Sequence, residues 1–419
     1  MTIPELYQLF VKHPIICTDT RKLSAGCLFF ALKGDNFNGN LFAKKAIEAG
    51  AAYVVIDENQ TEMNGQYILV QNVLETLQNL ASYHREQLNI PIIAIVGSNG
   101  KTSTKELITA VLQTQFKVLS TPGNFNNHIG LPLTLLMLQK SHQIGVIEMG
   151  ANHENENALL CEIAKPSCGL VTNNGKDHLE GFGSLDGVIR SNSELYTYLA
   201  KHNGLAFVNG NDSVLLKESE PVKDRIIYQQ NGQAKQLQPS ILFSYEDQEI
   251  NSCLSGDYNF DNILAALTIG KYFGLTPTQI KSGIESYQPQ NLRSQWIQKA
   301  HNAIFLDAYN ANPSSMELSI KNFIAMPGEN KVLFLGDMFE LGKYEDEEHQ
   351  NLVNFCIQLG LKQVILVGKA FAKTSCNYIK FIETQEAADF IKQSNYIGYT
   401  FFLKGSRGMK MESLVDLIS

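Results

Sequence analysis

The chain lacks the features that would indicate a membrane protein, a nucleic-acid binder or a secreted disulfide fold. No apolar run approaches the roughly 20 residues that a membrane-spanning helix needs. The formal net charge of −8 provides no basic footprint for nucleic acid, and residues 1–16 lack the basic stretch and cleavage site of a signal peptide. The seven cysteines are scattered without a C-x-x-C pair, which favours buried free thiols over disulfides or a metal site. We therefore expect a cytoplasmic protein with no membrane span and no nucleic-acid partner.

What is present is the composition of a globular protein, 44% hydrophobic and 18% charged. At 419 residues the chain is too long for one ordinary core, so two or three domains are expected. Short apolar strands alternate with helical stretches, which is typical of parallel α/β sheets. Breaks near residues 89–91 and 288–291 predict three domains: a small α/β N-terminal domain (1–88), a central parallel-sheet domain (89–290) and a C-terminal doubly wound, Rossmann-like domain (291–419). Residues 209–252 are polar and irregular, and predict an antiparallel appendage that includes a short strand over 225–228.

The most informative stretch is IVGSNGKTST at residues 95–104. Residues 91–96 predict a buried strand, a glycine turn follows, and good helix formers over 105–112 predict a helix. A helix N-terminus after such a turn binds phosphate, because its free N–H groups and the helix dipole favour an anion. Lys101 adds a cation, and the Thr102 hydroxyl is suited to Mg²⁺. The predicted nucleotide-binding residues are Gly97, Ser98, Asn99, Gly100, Lys101, Thr102 and Ser103.

The spacing of this loop narrows the class of nucleotide-binding protein. The common P-loop has four residues between its two glycines, which would require glycine at position 95. Ile95 stands there, so the loop is the shorter G-x-x-G-K-T form. The short loop disfavours an ordinary kinase or GTPase. The central domain (89–290) is therefore predicted to be a P-loop parallel-sheet ATPase domain of another class.

Two polar residues follow strands that are predicted beside the P-loop strand. Glu148 lies in the apolar run 144–149, and His178 follows the run 169–173. Three ligands from Thr102, Glu148 and His178, converging on one rim of the sheet, would suit Mg²⁺ that bridges phosphates. The plainer alternatives are a solvated turn acid for Glu148 and an ordinary surface histidine for His178.

Four further stretches are weaker signals. Residues 123–130 are rich in asparagine, whose amides can read sugar or peptide groups, although a polar turn with capping asparagines has the same composition. Residues 257–262 open a predicted helix, where a polar side chain can be a simple cap. Residues 307–313 follow a strand and suit a nucleoside, and residues 404–407 offer cations to an anionic substrate.

In this order, these stretches resemble the Mur ligase family over almost the whole chain. The resemblance rests on residues 18–21, 33–39, 97–104, 124–136, 148–151, 178–183, 307–316, 336–342 and 404–408. It implies an ADP-forming, ATP-dependent ligase of peptidoglycan precursor synthesis that joins D-alanyl-D-alanine to UDP-N-acetylmuramoyl-tripeptide through an acyl phosphate. The implied partners are these two substrates and ATP, with Mg²⁺ as cofactor and a monomeric chain.

The resemblance also implies roles for residues at matching positions. The expected catalytic residues are Lys101, Glu148, His178, Arg190 and Asn192. The expected ATP-binding residues beyond the P-loop are Asn262, Asp307, Tyr309 and Asn310. The expected substrate-binding residues are Thr20, Arg21, Lys33, Gly34, Asp35 and Phe37 in a uridine-nucleotide pocket, together with Asn124, Asn126, Asn127, Arg293, Lys404 and Arg407.

One position departs from the family pattern. The family usually has a lysine about fourteen residues after this histidine, and its carbamylated amine helps to hold a second magnesium; here the residue is Asn192. We hypothesise that the second metal is weakened, bound through water or lost, and that Arg190 supplies part of the missing charge. Asn40 also replaces a common histidine, and we expect little from that change. The alternatives are a catalytically impaired homologue that binds UDP-muramoyl peptide or ATP without efficient turnover, and another Mur-type or folyl-polyglutamate-type ligase.

Overall fold

The computed structural model describes residues 1–60, 64–229, 234–289 and 292–419. Gln290 and Asn291, on which the second predicted domain boundary falls, lie outside the described residues. Both predicted boundaries, at 88 and at 290, stay predictions. Within the described residues no helix combines the length and apolar composition needed to cross a bilayer. Cysteines 17, 27, 161, 168 and 356 are free and buried, whereas Cys253 is exposed.

The first part of the chain forms a four-stranded parallel sheet in the order β1-β2-β5-β6. Its elements are α1 (Ile3–Lys12), β1 (Ile16–Cys17), β2 (Leu28–Phe30), the hairpin strands β3 (Lys33–Gly34) and β4 (Phe37–Asn38), α2 (Ala43–Glu48), β5 (Tyr53–Ile56), β6 (Tyr67–Leu69) and α3 (Val73–Leu88). Short 3₁₀ helices cover Thr20–Lys22 and Gly39–Phe42. Leu77 and Leu80 of α3 share one apolar core with Leu28 of the first sheet and with Leu131, which lies in the helix Gly130–Leu136 of the next part of the chain. The first sheet and the second are therefore joined by one continuous apolar core.

The middle of the chain forms a six-stranded parallel sheet in the order β12-β11-β10-β7-β9-β8. Its elements are β7 (Ile92–Val96), α4 (Lys101–Leu112), β8 (Val118–Ser120), α5 (Gly130–Leu136), β9 (Ile144–Glu148), α6 (Glu156–Ala164), β10 (Cys168–Val171), α7 (Leu179–Phe182), α8 (Leu185–Lys201), β11 (Leu205–Asn209), α9 (Ser213–Glu218) and β12 (Asp224–Tyr228). An antiparallel sheet of β13 (Ala234–Gln236), β14 (Ile241–Tyr245) and β15 (Gln248–Ser252) follows, and then α10 (Asp257–Tyr272) and α11 (Pro277–Ser286).

Two sequence predictions for this region need correction. The helix after the P-loop begins at Lys101, four positions before the predicted stretch of helix formers, because Gly100 serves as its N-cap residue. The strand over 225–228 is not part of the antiparallel appendage. As β12 it pairs in parallel with β11, with α9 as the crossover helix, and forms an edge of the central sheet. Only β13, β14 and β15 make up the appendage.

The last part of the chain is a doubly wound sheet in the order β16-β17-β21-β18-β19-β20. Its elements are β16 (Gln295–Gln298), β17 (Ala303–Leu306), α12 (Pro313–Ala325), β18 (Lys331–Gly336), α13 (Glu345–Gln358), β19 (Val364–Val367), α14 (Lys369–Lys373), β20 (Ile379–Phe381), α15 (Thr384–Gln393) and β21 (Thr400–Lys404), with 3₁₀ turns at Gly342–Tyr344, Arg407–Met409 and Met411–Leu417. Phe401 and Phe402 belong to two different apolar cores, because successive side chains of a strand point to opposite faces. The α/β class and the doubly wound sheet are confirmed. The edge strands β16 (antiparallel) and β20 were not predicted.

Candidate active site

The P-loop turns between β7 and α4 on two glycines with positive φ. At Gly97, where φ is +132°, a Cβ would strike Thr172 Oγ1 and lie 2.9 Å from Thr172 N. At Gly100 φ is +80°, a conformation that L side chains rarely adopt. Gly100 brings no side chain to cap α4. The N–H groups of the first turn of α4 are therefore suited to an anion.

The segment after β10 holds this loop in shape. The main-chain oxygen of Asn173 accepts from Ser98 N at 3.0 Å, and its side-chain Oδ1 accepts from Asn99 N at 3.1 Å. The Lys101 ammonium lies over the same turn and donates to Gly97 O and, at 3.2 Å, to Ser98 O. A positive charge therefore sits beside the N–H groups that open α4.

Glu148, the last residue of β9, is a buried carboxylate on the wall of the cleft, with only 2% of its surface exposed. Its Oε1 accepts from Asn126 Nδ2 at 2.8 Å. Among the described residues its Oε2 has no hydrogen-bond partner, and Lys105 Nζ lies 3.9 Å from it. A buried carboxylate oxygen without a hydrogen bond is unfavourable by itself. This oxygen is therefore suited to bind a cation.

His178 is held by a carboxylate from the C-terminal sheet. Its Nδ1 lies 2.6 Å from Glu340 Oε2. The hydrogen bond from His178 lowers the pKa of the Glu340 carboxyl, and outweighs the burial that raises it. A proton on Nδ1 that is donated to Glu340 leaves Nε2 as the ring nitrogen that can meet a metal. Metal-binding imidazoles are commonly oriented by a carboxylate in this way.

Thr102, Glu148 and His178 line the same cleft, as the predicted magnesium site requires. In the part of the chain that the structure describes, no three His, Cys, Asp or Glu side chains form a metal-binding group. Mg²⁺ is usually held by one or two carboxylates together with water and substrate phosphates, and does not need an all-protein cage. A hydroxyl, an unpartnered carboxylate oxygen and an oriented imidazole therefore fit Mg²⁺ that is bound together with a nucleotide.

The opposite wall of the cleft carries a buried ion pair. Lys404 Nζ lies 2.6 Å from Asp307 Oδ2, which also accepts from Ser319 Oγ at 2.7 Å. Asp307 Oδ1 accepts from Ser294 N at 3.1 Å. Burial opposes ionisation, but Lys404 and these hydrogen bonds outweigh it and hold the pKa of Asp307 below its usual range. The pair is therefore charged and fixed at the carboxyl ends of β17 and β21.

Aromatic rings lie beside this pair. The Arg293 guanidinium sits 3.8 Å from the centre of the Tyr309 ring, and Arg293 Nε is buried without a hydrogen-bond partner among the described residues. The Tyr258 hydroxyl lies 3.3 Å from Ser294 Oγ. Burial and the nearby Asp307 charge raise the pKa of Tyr258 to about 12, so it stays a neutral hydroxyl. An aromatic ring, a cation and hydroxyls together suit a nucleoside.

The structure brings most of the predicted nucleotide-binding residues to one cleft between the central and C-terminal sheets. Its walls include Ser98, Asn99, Gly100, Lys101, Thr102, Ser103, Asn126, Glu148, His178, Asn262, Arg293, Asp307, Tyr309, Asn310 and Lys404. Asn262 Oδ1 accepts from Thr104 Oγ1 at 3.0 Å, so it also fixes α10 against α4.

The predicted uridine-pocket residues lie on two turns of the first sheet. Lys33, Gly34, Asp35 and Phe37 belong to the β3–β4 hairpin, whereas Thr20 and Arg21 lie on the turn after β1. Lys33 Nζ is 2.9 Å from both Asp57 Oδ1 and Glu58 Oε1.

Asn40 is buried beside this hairpin. Its Oδ1 accepts from Asp57 N at 3.1 Å and from Glu58 N at 3.3 Å, and its Nδ2 donates to Asp57 Oδ1 at 2.8 Å. Asn40 therefore fixes the main chain of Asp57 and Glu58 and the Asp57 carboxylate, which pairs with Lys33.

Several predicted residues are not among those that line the cleft. Arg190 pairs on the surface with Glu154 at 2.5 Å and does not turn toward the P-loop. Arg407 likewise pairs with Glu412 at 3.1 Å. Three asparagines are also absent from the lining: Asn192, whose Nδ2 donates to Asn174 Oδ1 at 2.8 Å, Asn127, whose Oδ1 accepts from Gly130 N at 2.9 Å, and Asn124, which is exposed. Gly97 is not a lining residue either, although it shapes the turn.

Four residues that shape the cleft were not predicted from the sequence. Asp177 accepts from Ser98 Oγ, Asn312 Nδ2 donates to Asn99 Oδ1 at 2.9 Å, and Tyr258 and Glu340 lie on its walls. Asn312 and Glu340 lie within stretches that carried the family resemblance (307–316 and 336–342), so their places in the sequence could have marked them as candidate site residues. Their partners are distant in sequence, and only the tertiary fold identifies them.

Three family models match the chain in sequence order. They are described as Mur ligase family, catalytic domain (residues 14–119), Mur ligase middle domain (95–270) and Mur ligase, glutamate ligase domain (292–399). The chain is 34% identical to the UDP-N-acetylmuramoyl-tripeptide--D-alanyl-D-alanine ligase of Bacillus subtilis, over 98% of this chain and 94% of that protein.

Solved structures agree with this match. A crystal structure of MurF from Acinetobacter baumannii superposes with a TM-score of 0.88 at 30% identity, and covers 96% of this chain and 92% of that one. The MurF ligase of Thermotoga maritima in complex with ADP superposes with a TM-score of 0.86 at 26% identity, and covers 96% of both chains. With this extent of identity and overlap, the chain belongs to the Mur ligase family.

Proposed function

We propose that the protein joins D-alanyl-D-alanine to UDP-N-acetylmuramoyl-tripeptide with the hydrolysis of ATP to ADP and phosphate. The observation that carries the proposal is the cleft in which the P-loop, Glu148 and His178 face Asp307, Tyr309 and Lys404. The chain is also 34% identical, over 98% of its length, to a ligase named for this reaction. In this reaction the tripeptide carboxylate takes the γ-phosphoryl group, and the amine of D-alanyl-D-alanine then displaces phosphate from the acyl phosphate.

The P-loop side of the cleft binds and orients the triphosphate. The N–H groups that open α4 and the Lys101 ammonium neutralise the outer phosphates, which is the main requirement of phosphoryl transfer. Asn262, Asp307, Tyr309 and Asn310 hold the nucleoside from the other side. Thr102, Glu148 and His178 would hold Mg²⁺, which when bound neutralises phosphate charge.

The first sheet recognises the uridine nucleotide. The β3–β4 hairpin and the turn that carries Thr20 and Arg21 would bind UDP, and Asn126 and the neighbouring asparagine loop would bind the peptide. Lys404 and Arg293 complete the cleft from the C-terminal sheet. Because no covalent link to the enzyme is needed, catalysis consists of positioning the three substrates and excluding water.

Asn192 stands where a carbamylated lysine is usual in the family. Its Nδ2 is committed to Asn174 Oδ1, which supports a site that works with one firmly bound magnesium. Arg190 is engaged by Glu154, so its position does not support a role in charge compensation. The impaired-homologue alternative rests on Asn192 alone, and the relatives lend it no support. A monomer suits a cleft built from one chain, and free thiols suit a reducing cytoplasm.

A phosphate-release assay tests this function. Phosphate should appear only when ATP, Mg²⁺, UDP-N-acetylmuramoyl-tripeptide and D-alanyl-D-alanine are all present, and mass spectrometry should identify the pentapeptide product. Binding of ATP and the UDP-substrate without release would instead establish the impaired homologue. Size-exclusion chromatography with light scattering tests the monomer.

A further inference from the structure

Residues 174–183, here called the bridging segment, connect the P-loop to the C-terminal sheet. On the P-loop side, Gly175 N donates to Ser98 Oγ at 2.9 Å, and Asp177 accepts from the same hydroxyl. On the C-terminal side, Glu180 N donates to Glu340 O at 3.1 Å. One short segment therefore makes contact with both walls of the cleft.

The bridging segment also carries an ion pair between the two sheets. Lys176 Nζ lies 2.6 Å from Glu348 Oε1, and Lys176 N donates to Ser314 Oγ at 2.9 Å. The Glu348 side chain is only 8% exposed, whereas that of Lys176 is 43% exposed. A buried carboxylate needs a positive partner, and for Glu348 that partner comes from the other side of the cleft.

The neighbours of Glu348 show that this partnership is not a general property of its helix. The first turn of α13 contains Glu345, Asp346, Glu347 and Glu348. Asp346 pairs with Lys373 at 2.8 Å, and both are exposed and belong to the C-terminal sheet. The Lys176–Glu348 pair differs because it is partly buried and joins two sheets.

The position of Lys176 links this pair to the chemistry. Asp177, the next residue, fixes the P-loop through Ser98, and His178 follows as a proposed magnesium ligand. A Cβ at Gly175, the preceding residue, would lie 2.8 Å from Asn99 Nδ2 and 3.1 Å from Ser314 Cβ. The segment is therefore tightly confined between the P-loop and α12. We expect loss of the Lys176–Glu348 pair to shift the adjacent residues Gly175 and Asp177.

We propose that Lys176 and Glu348 form an interdomain latch, which holds the C-terminal sheet closed over the P-loop and thereby positions Asp177 and His178. Lys176 and Glu348 are positioning residues, because neither of their side chains is placed to touch a reacting group. The inference rests on the proposed function. If the latch exists, closure should depend on the opposite charges of the two side chains and not on which of the two positions carries the positive charge.

The test compares Lys176→Gln, Glu348→Gln, the conservative Lys176→Arg and the charge-exchanged double variant Lys176→Glu/Glu348→Lys. Asp346→Asn is the matched control, since it removes a carboxylate from the same helical turn without touching the interface. Each variant is checked for folding by circular dichroism and thermal melting. Small-angle X-ray scattering with ADP and Mg²⁺ measures closure, and steady-state kinetics measures kcat and each KM.

Both glutamine variants should have a larger radius of gyration than the wild type and a kcat lower by about tenfold, an effect between that of an exposed pair and that of a fully buried one. The KM for the UDP-substrate should stay unchanged, because its proposed pocket is on the first sheet. Lys176→Arg and the double variant should recover compactness and kcat, and Asp346→Asn should match the wild type.

The latch is overturned if the folded glutamine variants keep the wild-type radius and kcat. It is also overturned if the folded double variant is no more compact than the single variants. If the wild type releases no phosphate with its three substrates, the proposed function fails, and the scattering comparison alone then decides on the latch.

Discussion

The nucleotide cleft and the proposed uridine pocket use charged residues in opposite ways. In the cleft, Lys404 is buried, and its partner Asp307 has only 14% of its side chain exposed. In the first sheet, the Arg21 side chain is 87% exposed. Charges interact strongly in a buried, low-dielectric site and weakly where water screens them. We therefore expect the charged cleft residues to affect both activity and stability, and the exposed pocket residues to affect recognition with little effect on stability.

The difference follows from how each site is built. The cleft forms where the carboxyl ends of two parallel sheets face each other, the usual ligand site of such sheets. The proposed uridine pocket would consist of a short hairpin and a turn, whose predicted binding residues are mostly exposed. The following predictions test this contrast.

The largest effect is expected at Lys101. Lys101→Met should lower kcat by roughly 10²–10³-fold, the cost of removing one preorganised charge from a transition state, and should weaken ATP binding. The melting temperature should stay within a few degrees, because Lys101 contacts only the main chain of its own loop. Phosphate release and calorimetric titration with ATP measure both. The control is Lys117→Met, an exposed lysine that donates to Ser141; equal losses in the two variants would contradict the assignment.

A loss of stability should dominate at Asp307. Asp307→Ala leaves Lys404 buried and unpaired, so the free energy of unfolding should fall by about 3–5 kcal/mol, as measured by urea denaturation. Mutation of exposed Arg21 to alanine, the counterpart in the pocket, should leave the unfolding midpoint unchanged. A similar midpoint for both variants would remove the contrast between the two sites.

The same carboxylate predicts a pH dependence. The folded pKa of Asp307 is lower than its usual value, so its stabilisation is present above the unfolded pKa of about 3.9 and is lost as the pH falls through the folded pKa. The free energy of unfolding of Asp307→Asn should therefore vary less than that of the wild type between about pH 5 and pH 2. Parallel denaturation curves over this range measure the difference. Identical slopes would show that Asp307 does not titrate with folding.

A smaller, selective effect is expected at Phe37. Its ring stacks on Phe42 with 5.5 Å between the ring centres. Phe37→Ala should raise the KM for the UDP-substrate by up to about tenfold, the value of one aromatic contact, with unchanged KM for ATP and unchanged melting temperature. Leu41→Ala is the control, because Leu41 is 76% exposed and has no predicted role. A matching rise in the KM for ATP would argue against a separate uridine pocket.

The smallest effect is expected at Asn192. Asn192→Lys offers an amine that can capture CO₂, so activity should rise modestly and become sensitive to bicarbonate. The wild type and Asn192→Gln should be insensitive. If the folded lysine variant neither gains activity nor responds to bicarbonate, our account of this position is wrong.

Local sequence was sufficient where one element carries the signal. The glycine turn and Lys101 were recognisable in the sequence, because the required φ angles and the helix N-terminus are local properties. Glu148 and His178 line the cleft as expected, because the ends of buried strands are recognisable. The strand β12 was misassigned and the edge strands β16 and β20 were missed, since half-exposed edge strands lack a continuous apolar run. Arg190 was predicted to act in the site but pairs with Glu154, because the direction of a surface side chain is not encoded in spacing.

The amino-acid sequence was sufficient for the α/β class, the glycine turn before α4 and the family, because these depend on short-range geometry and on the order of motifs along the chain. Which distant side chains meet became known from the folded chain alone. The Asp307–Lys404 pair, the orientation of His178 by Glu340 and the burial of Glu348 against Lys176 each join residues far apart in sequence. A charge has a defined partner only after folding has removed it from water and fixed its distance to the opposite charge.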